Sequence, residues 1–192
     1  MIAALYCRQD SIYKTMGLDV YDIERDARTF PNTSAVIAHP PCRAWGRLRH
    51  FAKPRPDEKD LAFHAIAVIR KCGGVLEHPE YSTLWAAAGL PRPGAGYDQY
   101  GGWSLSVDQS WWGHKARKRT WLYIVGVQAA DVPPIPLSFD AVQYCIGGNH
   151  GSKFNKRLKD LPKADRERTP EPFAKWLYQL ALICQNNKGG AK

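Results

Sequence analysis

The segment Ala35-Val36-Ile37-Ala38-His39-Pro40-Pro41-Cys42-Arg43-Ala44-Trp45-Gly46-Arg47 decides how the chain folds. Its first four residues are a short apolar run, and Pro40-Pro41 ends that run because neither proline can donate to a strand ladder. The run reads as a buried strand, followed by a stiff loop at its carboxyl end. Open α/β sheets place their chemistry at that edge. Cys42 sits on this loop, and Arg43, Arg47, Arg49, His50, Lys53 and Arg55 follow it. A thiol held among cations has a depressed pKa and more of the nucleophilic thiolate, which makes Cys42 a candidate nucleophile. The plainer alternative is a small apolar cysteine beside a basic surface loop.

Strand and helix patterns alternate on both sides of this segment. Residues 2–7 read as a short buried strand, 10–16 as a brief helix ending at Gly17, and 18–23 as a second strand. Downstream, 57–71 is the clearest helix. Leu61, Ala65, Val68 and Ile69 form its apolar stripe, and Gly73-Gly74 ends it. Residues 75–77 form a strand closed by Pro79, and 86–102 are a loop rich in glycine and proline. Strands are expected at 103–107 and 120–127, a connection at 129–136, and an amphipathic closing helix at 172–185. Thr169-Pro170 supplies the cap and first-turn proline of that helix. The alternation predicts a three-layer, Rossmann-like α/β domain with a mostly parallel sheet over residues 1–185, ending in a flexible tail at 186–192.

The 192 residues suit one domain with a sizeable core. Lys and Arg total 27 against 18 Asp and Glu, a net charge of +9. Such an excess points to a polyanionic partner, most often nucleic acid. Residues 149–168 hold Lys153, Lys156, Arg157, Lys159, Lys163, Arg166 and Arg168. They read as a phosphate-tracking stretch or as a solvated basic loop. Five cysteines without a Cys-x-x-Cys pair fit free thiols in a reducing compartment. Cys145 and His150 are read as structural, and no metal is expected. The start of the chain lacks a basic region followed by a long apolar one, and no run approaches about 20 apolar residues. A soluble, cytoplasmic protein without a membrane partner is expected, and no pattern sets an oligomeric state.

Three segments then fall in a telling order. Pro40-Pro41-Cys42 resembles the nucleophile loop of the DNA cytosine-5 methyltransferases. Leu76-Glu77-His78-Pro79 resembles their Glu-Asn-Pro or Glu-Asn-Val motif, one helix and one strand later. The run from Gln109 to Ile124 resembles the motif in which an aromatic-Gly turn precedes basic residues and a strand. The likeness covers roughly residues 35–126 and is to the small enzymes of this kind carried by bacteriophages, which implies action in the bacterial host cell. It implies transfer of a one-carbon unit to carbon 5 of cytosine in DNA. A thiolate adds to carbon 6, and the ring becomes an enamine whose carbon 5 attacks the donor. The resemblance gives Cys42 the nucleophile's role and Glu77 that of an acid that holds or protonates N3. Arg117, Lys118 or Arg119 binds the target phosphate or the base carbonyl.

The chain also departs from the family pattern. His78 stands where the family has Asn, and could itself transfer protons. The full enzymes open with a glycine-rich turn that admits S-adenosylmethionine close to the backbone, whereas Arg8-Gln9-Asp10-Ser11 stands here. The region matching the donor pocket offers Tyr6, Arg8, Asp22, Glu24 and Pro40 as contacts. Residues 25–34 are too few for a further helix and strand, since a crossover takes about a dozen residues. The donor is therefore S-adenosylmethionine bound in a reduced way, or 5,10-methylenetetrahydrofolate, which gives hydroxymethylcytosine. Two other readings remain: an inactive DNA-binding relic, and a pyrimidine C5 transferase acting on free nucleotides. A base inside a duplex has to be flipped out, unless single strands are the substrate. Arg43, Arg47, Arg49, Lys153, Lys156 and Arg157 are the phosphate-contact candidates. Trp45, Trp85, Trp103, Trp111 and Trp112 are the stacking candidates, Trp112 foremost. Residues 127–169 are short for a recognition region.

Overall fold

A computed structural model describes residues 1–138, 140–146 and 158–189. Its main sheet has six strands: β1 (Ala3–Leu5), β2 (Asp19–Val20), β3 (Val36–Ala38), β4 (Gly74–Pro79), β5 (Gly102–Asp108) and β6 (Arg119–Val125), in the order β2-β1-β3-β4-β6-β5. The first four are mutually parallel. β6 runs antiparallel to both β4 and β5, so β5 points the same way as the parallel four. The sheet is thus mostly parallel, as the alternation of patterns predicts.

Helices cover both faces. α1 (Ile12–Thr15) lies between β1 and β2, α2 (Glu58–Cys72) between β3 and β4, and α3 (Leu84–Ala87) follows β4. α4 (Lys163–Glu167) and α5 (Glu171–Gly189) close the chain. Strand alternation divides the core in two. Val36, Ala38 and Leu76 face α2, whose Ala65, Val68 and Ile69 pack in the same cluster, and Leu61 is buried as well. Ile37, Val75, Leu122 and Ile124 face α5 through Phe173, Leu177, Leu180 and Ala181. The four stripe positions read from the sequence are therefore core, and Ala62 and Ile66 join them. The turn from α2 into β4 needs glycine. At Gly74, φ is +123° and a Cβ would lie 2.0 Å from the Val36 carbonyl oxygen, so any side chain would push β4 off β3.

Several boundaries differ from expectation. The tail assigned to 186–192 is helical as far as Gly189, and Asn187 donates to the Gly126 carbonyl. The loop expected at 86–102 begins inside α3. Residues 127–169 are more than connection: β7 (Tyr144–Cys145) pairs in parallel with β8 (Lys159–Asp160), and α4 follows. Between β2 and β3 the chain forms only a 3-10 turn at Ala27–Thr29, in line with the shortness of that interval. Among the described residues, no helix is long and apolar enough to cross a membrane. Cys7, Cys42, Cys72, Cys145 and Cys184 are free thiols.

Candidate functional site

The carboxyl ends of β1, β3 and β4 open into a cleft of about 1100 Å³. Tyr6, Arg8, Pro40, Cys42, Glu77 and Lys118 all line it, with α4 and the entry to α5 as the opposite wall. Three segments far apart in sequence thus converge: the loop after β3, the end of β4, and the turn before β6.

The Cys42 loop is fixed from several sides. The Cys42 carbonyl accepts from the Trp45 and Gly46 amides at 3.0 and 2.7 Å, and the Trp45 carbonyl accepts from Thr83. Arg43 turns away from the cleft floor onto Glu58, a fully buried carboxylate at the start of α2, with three N–O distances of 2.7–2.8 Å. This pairing ties the nucleophile loop to the helix that packs beneath it. It also takes Arg43 out of the role expected for it: its guanidinium is committed to Glu58 rather than offered to DNA.

The thiol itself differs from expectation. Cys42 is open to solvent through the cleft, yet protein encloses it on most sides. That enclosure raises the thiol pKa, the Glu77 carboxylate raises it further, and Lys118 opposes. Burial, Glu77 and Lys118 set its direction, rather than the arginines that follow Cys42 in sequence. The resting thiol is protonated at neutral pH.

Glu77 departs in the opposite direction. Burial would raise its carboxyl, but Lys118, the hydrogen bond from His39 and the nearby His39 and His78 bring it down to about 2. Its Oε1 accepts from Gln109 Nε2 at 2.9 Å and Thr120 Oγ1 at 3.3 Å, and its Oε2 lies 3.1 Å from His39 Nδ1. In the free protein Glu77 is a carboxylate, so of the two roles expected for it, holding N3 or protonating it, the resting group is set for the first.

Of the three basic candidates, only Lys118 lines the cleft. Asp108 holds the turn that presents it, accepting from the Ser110 and Lys118 amides at 3.0 Å each. Arg117 lies outside the cleft, 3.5 Å from Asp108, and Arg119 bonds the Tyr81 hydroxyl and pairs with Glu80. Strand alternation explains the split, since neighbours in an extended segment face opposite ways.

The donor-pocket candidates also divide. Tyr6, at φ 60°, has its hydroxyl 2.6 Å from His64 Nδ1, and Arg8 bridges Asp10 and Glu167. Asp22 does not line the cleft. Its carboxylate is 2.6 Å from Lys14 and accepts from the Glu24 and Arg25 amides, which makes it a turn-capping group. Glu24 is exposed and bonded by Gln9. Neither acid reaches a ligand in the cleft.

The tryptophans are core residues, contrary to the stacking role. Trp112 is buried against Phe173 and Trp176 beneath α5, and Trp45, Trp85 and Trp103 are buried as well. Trp111 alone of the five is partly exposed. Arg47 and Arg49 lie on the loop beyond the cleft, where Arg49 reaches the Gly46 carbonyl. Lys153, Lys156, Arg157 and His150 lie outside the described residues. Cys145 is buried, with its thiol on the Leu158 and Lys159 carbonyls. Among the described residues, no group of three His, Cys, Asp or Glu is placed to hold a metal.

His78 points to the opposite face of β4 from Glu77. It is fully buried against Trp85, and neither ring nitrogen has a partner. Burial brings its pKa down to about 4, so it is neutral and walled off from the cleft. The unfolded chain binds a proton near pH 6.5 that the folded chain refuses until about pH 4. The stability this gives is full above pH 6.5 and is lost as pH falls through that window, by about 3 kcal/mol. Denaturant titrations across the window are expected to show this loss in the wild type, and a flatter profile in His78→Leu.

The sequence reading missed Tyr13, His39, Gln109 and Thr120, which surround Glu77. His39 was legible in principle, as a polar residue at the end of an apolar strand directly before the prolines. No protein-family model matches the chain, and no curated protein matches it either.

Proposed function

We propose that the protein transfers a one-carbon unit to carbon 5 of cytosine in DNA, through a covalent bond between Cys42 and carbon 6. The observation that carries this reading is the convergence of Cys42, Glu77 and Lys118 in one cleft. These are the groups that a nucleophilic addition to a pyrimidine needs.

The geometry favours a particular division of labour. An ionised Glu77 is a poor proton store but a good counterion. Protonated cytosine presents two parallel donors, N3–H and N4–H, to a carboxylate. The sulfur pair forms the S–C6 bond, the C5=C6 π pair shifts to C4=C5, and the C4=N3 pair takes a proton at N3. The thiol proton is the one that N3 gains, so the step is neutral overall. Lys118 stabilises the thiolate as it forms and balances Glu77. Carbon 5 of the resulting enamine then attacks the one-carbon electrophile, whose carrier atom takes the electron pair of the bond it gives up. The carbon 5 proton leaves to solvent, its pair re-forms C5=C6, and the S–C6 bond breaks to return the Cys42 thiol.

The donor is S-adenosylmethionine or 5,10-methylenetetrahydrofolate. The first fits poorly in the manner of the full enzymes, because Asp22 and Glu24 do not reach the cleft to hold a ribose. Duplex DNA has to surrender its base to a cleft of this depth by flipping, and single strands enter directly.

Mass spectrometry of nucleosides from DNA co-expressed with the protein tests the reading. Modified cytosine is expected with the wild type and absent with Cys42→Ser, and the added mass names the donor. Unmodified cytosine in both samples, with protein folded and abundant, overturns it.

A further inference from the structure

We propose that His39 and Tyr13 form a positioning pair that fixes Glu77 as an oriented carboxylate facing the target base, an inference that rests on the cytosine-transfer reading of the cleft. The chain of contacts runs from the core outward. Tyr13, on α1, is fully buried, and its hydroxyl lies 3.0 Å from His39 Nε2. His39 Nδ1 lies 3.1 Å from Glu77 Oε2. His39 and Glu77 are nearly buried, with side-chain exposures of 14% and 12%.

The protonation pattern follows from these partners. A carboxylate accepts only, so His39 must donate from Nδ1. In the neutral ring Nε2 is then the acceptor, and Tyr13 donates to it. Burial keeps the Tyr13 hydroxyl protonated by raising its pKa well above the ordinary value. The tyrosine therefore selects the histidine tautomer, and the histidine holds one carboxylate oxygen. Gln109 and Thr120 hold the other. With both oxygens anchored, the carboxylate cannot rotate away when a base enters.

Anchoring also governs charge. Burial is the largest single influence on Glu77 and favours the neutral acid, so ionisation depends on its donors and on Lys118. The titratable groups facing the pair come from several elements: Lys118 before β6, His78 on β4, Cys42 after β3, and Tyr13 on α1 with Cys7 behind it. Glu167 and Glu171 sit on the far wall of the cleft. Of the donors to Glu77, His39 alone contacts Oε2.

The test compares wild type with His39→Leu, His39→Asn and Tyr13→Phe. Asparagine keeps a donor near the Nδ1 position, whereas leucine removes it. Glu77 titration is followed by NMR with isotope-labelled glutamate, which needs no activity. Turnover is measured at neutral pH, where Glu77 stays ionised, so that a loss there reports orientation rather than charge. In His39→Leu the Glu77 titration is expected to move up from about 2 by about one unit or more, one unit being a tenfold change in the ratio of ionised to neutral carboxyl, and turnover at neutral pH to fall because the carboxylate is no longer held in place. His39→Asn is expected to bring the Glu77 titration and the turnover most of the way back to the wild type, and Tyr13→Phe to shift the titration less than leucine does. A purely structural role would not separate leucine from asparagine. An unmoved Glu77 titration in His39→Leu, or equal Glu77 titrations in the leucine and asparagine variants, overturns the inference. Wild-type protein without turnover on DNA overturns the functional reading instead, whatever the titration shows.

Discussion

An oligonucleotide carrying 5-fluorocytosine, mixed with the protein and a one-carbon donor, is expected to leave a covalent protein–DNA adduct that Cys42→Ser abolishes. Fluorine cannot leave carbon 5 as a cation, so the intermediate cannot resolve and the S–C6 bond persists. Serine fits the position because the loop is held by backbone bonds from the Cys42 carbonyl and by Arg43 on Glu58, none of which involves the sulfur. Folding should therefore survive, which circular dichroism can verify. Cys7 lines the same cleft and is the control. Burial and its neighbours push its thiol up to about 12, which leaves almost no thiolate at neutral pH. Cys7→Ser should trap as the wild type does. An adduct that survives in Cys42→Ser and vanishes in Cys7→Ser would reassign the nucleophile.

The resting thiol bears on how this adduct accumulates. Because Cys42 is protonated in the free protein, the rate of trapping should depend on the arrival of the base rather than on a standing thiolate pool. In the proposed reaction the cytosine edge would supply the acceptor for the thiol proton, so that deprotonation and addition become one event. Proteins that activate cysteine with adjacent arginines hold the charge in advance. Here the nearest arginine in sequence is spent on anchoring the loop.

That contrast shows where sequence reasoning succeeds and where it stops. The strand at Val36–Ala38, the helix at Glu58–Cys72 and the placement of Cys42 beyond the Pro-Pro pair follow from local rules, namely apolar runs, periodicity and proline. The three-segment order that brought Cys42, Glu77 and Lys118 to notice was also local in origin. What neighbours in sequence cannot reveal is direction. Arg117, Lys118 and Arg119 are adjacent, but only one faces the cleft, and the turn set by Asp108 decides which. Trp112 reads as an exposed stacking residue until α5, some sixty positions later, folds over it. Asp22 has the right type and place for a ribose partner, but Lys14 from α1 neutralises it. The ionisation of Glu77 was least legible, because it depends on His39 just after β3, Gln109 just after β5, Thr120 on β6 and Lys118 before it, acting against burial.

Glu77→Gln is expected to lower turnover by about two to four orders of magnitude while leaving DNA affinity nearly unchanged. The substitution keeps the shape of the side chain and removes its charge, so the protonated N3 edge loses its counterion as the sulfur adds. The structural cost is small for a specific reason. The amide oxygen can still accept from Gln109 and Thr120, but the amide nitrogen then meets His39 Nδ1. His39 relieves this contact by moving its proton to Nε2. Tyr13 follows, because a hydroxyl that donated to Nε2 can rotate to accept from it. The fold therefore absorbs the change, and the loss falls on the chemical step. In the proposed reading DNA affinity would come from phosphate contacts to cations around the cleft, which the substitution does not touch. Steady-state turnover, fluorescence anisotropy with an unmodified oligonucleotide, and the trapping rate with 5-fluorocytosine separate these effects. Turnover within a few-fold of wild type would mean that Glu77 supports the cleft without stabilising the charged base, and the division of labour between Cys42, Glu77 and Lys118 would have to be redrawn.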